Sequence, residues 1–204
     1  LFRSREESWQ KWSRWNTCRL CHQPIRGKVK CAIGWACWKA YSDGSYLDRA
    51  SGTFKAELNT FQAFNALGDS LPHEEALTIY RTLLAATKIA ALHDANYRAM
   101  ILVAETNVAK VLEELGRHDE SLEIRRGLLG RTEAYHGATS RDTFIDALNL
   151  GNSLFETKKY EEAKALLPEY VDSCRATYGP DHRLTLKLRF ALCRARGVVW
   201  DGSF

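Results

Sequence analysis

The chain is expected to be all-α, a right-handed α-α solenoid of antiparallel helix pairs with a small Cys/Trp-rich N-terminal segment, and three observations lead there. Asn107-Val108-Ala109 returns 42 residues later as Asn149-Leu150-Gly151, and the match extends through Leu112/Leu154, Ser121/Ala163 and Thr143/Thr185. Between these anchors Gly116-Arg117-His118-Asp119-Glu120-Ser121 aligns with Lys158-Lys159-Tyr160-Glu161-Glu162-Ala163, a polar turn followed by the acidic first turn of a second helix. Apolar residues between the turns recur at three-and-four spacing, the mark of one buried helix face. Stacked helix pairs of this kind present extended concave surfaces.

The 204 residues, 45% hydrophobic, suffice to bury a continuous core without disulfides. The net charge of +4 conceals a division. Residues 1–40 hold nine Lys/Arg against two Glu, a surplus of seven positive charges, whereas 41–204 hold 20 against 23. Trp9, Trp12, Trp15, Trp35 and Trp38 and four of the six Cys also lie in that first stretch. Two compositions imply two modules, a basic head over 1–45 and a helical body over 46–204, with Ser42-Asp43-Gly44-Ser45 as the turn between them. No apolar run approaches the roughly 18 residues a spanning helix needs, and nothing reads as a secretory signal, so a cytoplasmic location is expected. A chain beginning at Leu1 is expected to be a processed or excised piece.

Taken in order, Trp9, Trp12 and Trp15 form a stripe on a short helix flanked by Arg3, Arg5, Lys11 and Arg14. Such a helix can cover an open end of the solenoid; the alternatives are binding of a single-stranded nucleic acid or an anionic membrane surface, or Glu6-Glu7-Ser8-Trp9 serving as a ligand of the chain's own concave face. His73-Glu74-Glu75-Ala76 echoes the repeat turn at a spacing of 45, with Phe61-Gln62-Ala63-Phe64 in its first helix and Leu77, Tyr80 and Leu84 in its second. The first clear pair is expected over about 97–115 and 119–135, with Met100, Ala104, Val108, Val111, Leu112 and Leu115 inward. The second is expected over about 139–157 and 161–178, opened by Thr139-x-x-Asp142 as a loose capping box. Phe144, Leu148, Leu154, Ala163, Leu167 and Val171 face inward, and Pro168 is expected to kink or break the last of these helices. Ala109/Gly151 and Ser121/Ala163 are small where the helices of a pair must approach. Gly179-Pro180-Asp181 then starts a closing helix through Leu184, Leu186, Leu188 and Leu192.

These units resemble the 42-residue tetratricopeptide repeats of kinesin light chains and their relatives. The marks are Asn-Val-Ala and Asn-Leu-Gly in the first helix, Lys-Lys-Tyr-Glu-Glu-Ala at the turn and Tyr-Gly-Pro-Asp-His at 178–182, over about residues 57–196. Arg125, where the family favours a large apolar residue, and Ala191, in place of a recurrent Asn, depart from the pattern. The resemblance implies that first helices line a concave groove for an extended peptide or partner helix. One residue past the small position the register gives Asn65, Lys110, Asn152 and Arg194; three residues earlier it gives Gln62, Asn107, Asn149 and Ala191. Amide and cationic donors in such columns suit a peptide backbone and carboxylates. Four rungs at roughly 10 Å spacing would span about 30 Å, the length of about nine extended residues. Glu113, Glu114 and Glu156 lie one turn farther along and make the expected groove mixed in sign.

In the head, Cys18-x2-Cys21, Cys31 and Cys37, with His22 as an alternative ligand, supply the four donors of a tetrahedral structural zinc site. The arrangement resembles the start of a MYND-type finger but lacks its second Cys-x2-Cys. Unliganded buried thiols are the bland reading, and Cys18-Arg19-Leu20-Cys21-His22 also fits a c-type haem attachment pattern. No Gly-x4-Gly-Lys-Ser/Thr loop, Gly-x-Ser-x-Gly elbow or His-Glu-x2-His helix is present, so an enzyme is not expected. The sequence points to a protein-protein interaction adaptor with no certain cofactor. The alternative is a zinc-dependent head that recognises nucleic acid or a ubiquitin-pathway partner, with the body as scaffold.

Overall fold

The computed structural model describes residues 65–93 and 95–197 and, in the head, Ala32. No strand occurs among the described residues. The helices are α1 (His73–Ala91), α2 (Arg98–Glu114), α3 (His118–His136), α4 (Arg141–Glu156), α5 (Tyr160–Tyr178) and α6 (Arg183–Arg196), with a short 3-10 turn at Ala95–Tyr97. The chain divides into two compact units, Leu1–Ala104 and Glu105–Phe204.

In the first unit, Leu83 and Ala104 are buried with Ile79, Leu84, Ala86, Tyr97 and Met100 packed against them. Tyr80 lies under Gly68, where an added Cβ would sit 2.5 Å from the ring carbon Cζ, so only glycine fits. The Tyr80 hydroxyl, buried beneath, donates to Asp69 Oδ1 at 2.7 Å.

The second unit repeats its own geometry at the sequence period. α2 and α4 both end in a motif in which the amide of the third residue past the helix reaches back five residues. Arg117 N–H donates to the Leu112 carbonyl and Lys159 N–H to the Leu154 carbonyl, each at 2.8 Å. That motif needs a left-handed residue one position earlier. Gly116 supplies it at φ 74°, but 42 residues on the same place is taken by Lys158 at φ 59°. The turns between pairs repeat as well: Gly137 and Gly179 end α3 and α5 at φ 91° and 94°, and Thr143 and Thr185 donate to their carbonyls at 2.8 and 2.9 Å.

Apolar residues from α3, α4, α5 and α6 merge into one core that includes Leu122, Phe144, Leu154, Leu167, Cys174 and Leu188, all 2% exposed or less. Each fully buried large side chain contributes about 1.5–3 kcal/mol. The small positions behave as expected: Ala109, Ser121 and Ala163 are fully buried, and a Cβ on Gly151 would meet Leu167 Cδ2 at 2.7 Å.

Two expectations are corrected and a third is refined. α5 runs unbroken through Pro168; the ring removes one amide donor, but the buried Leu167 and Val171 on either side hold both half-turns in the core. The cap of α4 is Ser140, not Thr139: its Oγ accepts the Thr143 amide at 3.1 Å, because Thr143 is drawn back onto the Gly137 carbonyl. Leu148 does pack against the core but is only partly buried, and the fully buried position beside it belongs to Ala147.

A lysine in the left-handed region costs about 1 kcal/mol more than glycine there. Lys158→Gly is therefore expected to stabilise the unit by about 1 kcal/mol, and Gly116→Ala to destabilise it by a similar amount, read as opposite shifts of the urea midpoint. Equal or reversed shifts would contradict this account of the turn.

Candidate binding groove

α4 and α6 are both first helices of their layers, and each carries a half-polar face. The α4 face carries Leu148 and Asn152 four residues apart; the α6 face carries Arg183, Lys187, Phe190 and Arg194 at the spacing of one helical stripe. His182 fixes where that stripe begins, since its Nδ1 accepts the Leu184 amide at 3.3 Å and caps α6. Together with Asp181 and Leu186 these residues line a recess of about 500 Å³. Its apolar lining is Leu148, Leu186 and Phe190; its cations are Arg183, Lys187 and Arg194, against the single anion Asp181. Arg183 and Lys187 form no ion pair among the described residues.

Of the residues expected in the groove, the structure brings Asn152 and Arg194 into this recess. Arg194 is already engaged. Its guanidinium lies 4.0 Å from the centre of the Phe155 ring and 5.9 Å from that of Phe190, and it donates to Glu156 Oε1 at 3.2 Å. It forms a wall as well as a donor. Lys110 is exposed, 4.0 Å from Glu114, and is not among the residues lining the recess. Asn107 and Asn149 are half-buried on α2 and α4. Asn65 is half-buried in the first unit, and its carbonyl accepts the Tyr80 hydroxyl at 3.3 Å. Ala191 is 5% exposed, so its register position on α6 faces the core. Gln62, Cys18, Cys21, His22, Cys31 and Cys37 lie outside the described residues.

Glu113, expected near the groove, is the half-buried centre of a polar cluster. Arg125, 4% exposed, donates to both of its oxygens, Nε to Oε1 at 2.6 Å and Nη2 to Oε2 at 2.9 Å. Ser121 and Ser153 donate to Oε1 at 3.0 and 2.6 Å, so one carboxylate joins α2, α3 and α4. Burial raises the Glu113 carboxyl, but the hydrogen bonds and charge of Arg125, aided by both serines, outweigh it and hold the group below its ordinary value. Nearby Asp146 shifts the other way: burial raises it, despite the 2.7 Å bond it accepts from Thr132. Arg125 thus departs from the apolar pattern because its charge has an internal partner. The signal in the sequence was the coincidence of two anomalies, a Glu and an Arg at positions that the next repeat fills with Phe155 and Leu167.

The comparisons with known proteins fit this geometry. Residues 97–167 match the tetratricopeptide repeat family. Among solved structures, the chain is similar to the nearly identical TPR-like repeats assigned to a kinesin light chain of Podosopora anserina, with a TM-score of 0.62 at 12% identity, covering 96% of this chain and 88% of that one. No curated protein matches the sequence. The match covers the α2–α5 stretch, and the chain has the helical-repeat fold of those TPR-like repeats. Such repeats generally mediate protein-protein interaction. No helix among the described residues is long and apolar enough to cross a membrane.

Glu113 contributes stability that is complete above the unfolded carboxylate range and lost as the pH falls through its lower folded value. Asp146, with its raised value, has the opposite sign and gains a proton more readily when folded. Glu113→Gln should therefore cost about 3 kcal/mol at pH 7 by stranding the Arg125 charge, and the variant should lose less stability than the parent between about pH 5 and pH 3. Urea unfolding as a function of pH measures both; parallel curves for the two proteins would contradict the assignment.

Proposed function

We propose that the chain is a non-enzymatic adaptor that holds a short extended peptide of a partner protein in the groove lined by its first helices, with the α4–α6 recess as the anchoring point. The observation that carries this reading is the recess itself. An apolar floor of Leu148, Leu186 and Phe190 can take one bulky side chain, Asn152 offers an amide for the ligand backbone, and the unpaired Arg183 and Lys187 favour acidic neighbours. In this reading the groove continues past the recess through Asn107 and Lys110 on α2 and Asn149 on α4, the positions of the same sequence register. Asn65 and Gln62 occupy the corresponding places of the diverged upstream repeat in sequence register.

A fluorescent peptide array displaying one bulky apolar residue flanked by Asp/Glu, scrambled and Lys-flanked controls included, tests the reading on the full chain. Acidic apolar peptides are expected to bind, and Arg183→Glu with Lys187→Glu to weaken the best binder at least tenfold, about 1.4 kcal/mol. Binding unchanged by both reversals would place the ligand elsewhere.

The head, residues 1–45, we propose as a separate module with a structural zinc on Cys18, Cys21, Cys31 and Cys37, His22 being the alternative ligand. Elemental analysis of the full chain is expected to give one zinc per chain, reduced by Cys18→Ser with Cys21→Ser. A metal-free preparation that stays folded would leave buried thiols as the reading, and zinc-dependent binding of nucleic acid would favour the head as the recognition element.

A further inference from the structure

The two junctions between successive layers of the second unit are built from different chemistry at the same register. Glu113, Ser121, Arg125 and Ser153 make up the cluster joining α2, α3 and α4. Forty-two residues on, the same four places are Phe155, Ala163, Leu167 and Ala195, all apolar. Leu167 and Ala163 are fully buried, Ala195 is 5% exposed, and Leu167 presses on Gly151. That second junction is close-packed and resists small displacements. At the first junction a 2.6 Å hydrogen bond from Ser153 Oγ to Glu113 Oε1 ties α4 to α2. Its ends lie beside groove positions: Ser153 follows Asn152, and Glu113 is one turn beyond Lys110.

The cluster is also not saturated. Arg125 Nη1 is buried with no hydrogen-bond partner among the described residues. The charge of Arg125 acts on a second carboxylate, Asp146 of α4, which is 8% exposed and already holds Thr132. A guanidinium with one unused edge and two carboxylates in range has an alternative arrangement available, which an apolar junction lacks.

We propose that Glu113, Arg125 and Ser153 form a positioning joint, which sets the spacing between the groove faces of α2 and α4 and lets that spacing adjust to a ligand, while the α4–α6 spacing stays locked. The joint rests on the groove reading for its purpose, but its mechanics belong to the free protein. A ligand lying across both intervals would shift the first and leave the second in place.

Hydrogen exchange on the full chain, without ligand, tests this. Ser153→Ala removes the α2–α4 bond, keeps the Glu113–Arg125 pair and puts at 153 the residue that position 195 already holds. Exchange at residues 107–114 and 149–156 is expected to rise about tenfold, the loss of a hydrogen bond to a charged group, with α5 and α6 unchanged. Glu113→Gln, which also lowers the stability of the whole unit, is expected to raise exchange in the same two segments beyond the rise shared by the other helices. A merely stabilising role would raise exchange in all helices of the unit together. A rise with no excess at 107–114 and 149–156, or no change in either variant, overturns the joint. Because no peptide is present, the result is independent of whether the groove binds one.

Discussion

A pair of helices with one apolar face cannot hide that face within the pair, and the second unit exists because the next helix covers it. Everything else follows from how closely the helices can meet. Gly151 lets Leu167 lie against the α4 backbone, with no room for a Cβ between them. That approach brings Ala163 and Leu154 into the same core and leaves the polar face of α4 turned toward α6. Removing the close approach would separate the helices and dissolve the recess as well as the core, since Leu148 and Asn152 are placed by the same helix that Gly151 seats.

The period imposes itself on details that carry no burial. The left-handed residue after each first helix, the glycine after each second helix and the threonine that returns to that glycine's carbonyl all recur at the same interval. Local turn chemistry and tertiary packing therefore demand the same chain path, the consistency that makes a fold specific. Where the two conflict, packing prevails. Lys158 takes a glycine's conformation, and Pro168 sits within a helix, because the flanking residues are committed to the core.

The helices, their order and most inward positions were legible because amphipathic spacing and turn residues act within a few positions of one another. The small positions were legible because a repeat shows its constants. Partnerships across helices were less so. Glu113 and Arg125, twelve residues apart, look like a groove acid and a family misfit until the fold places them together. Arg194 reads as a free donor, but the structure lays it on Phe155 and ties it to Glu156. Leu148 reads as core by periodicity; it packs against the core only in part and also lines the recess, because a layer's first helix divides its apolar face between its neighbours and the open side.

The repeat spends its variation at one junction, where four apolar places become a salt-bridged cluster, and holds its constants at the next. Both depend on α4 being seated against α5. The most direct measurement is therefore the set of nuclear Overhauser contacts from the Leu167 methyls. Strong contacts to the Gly151 Hα, the place where a Cβ would meet Leu167 Cδ2 at 2.7 Å, are required by the account. Leu167 methyls without contact to Gly151, in a chain that is helical over 141–156 and 160–178, would contradict it.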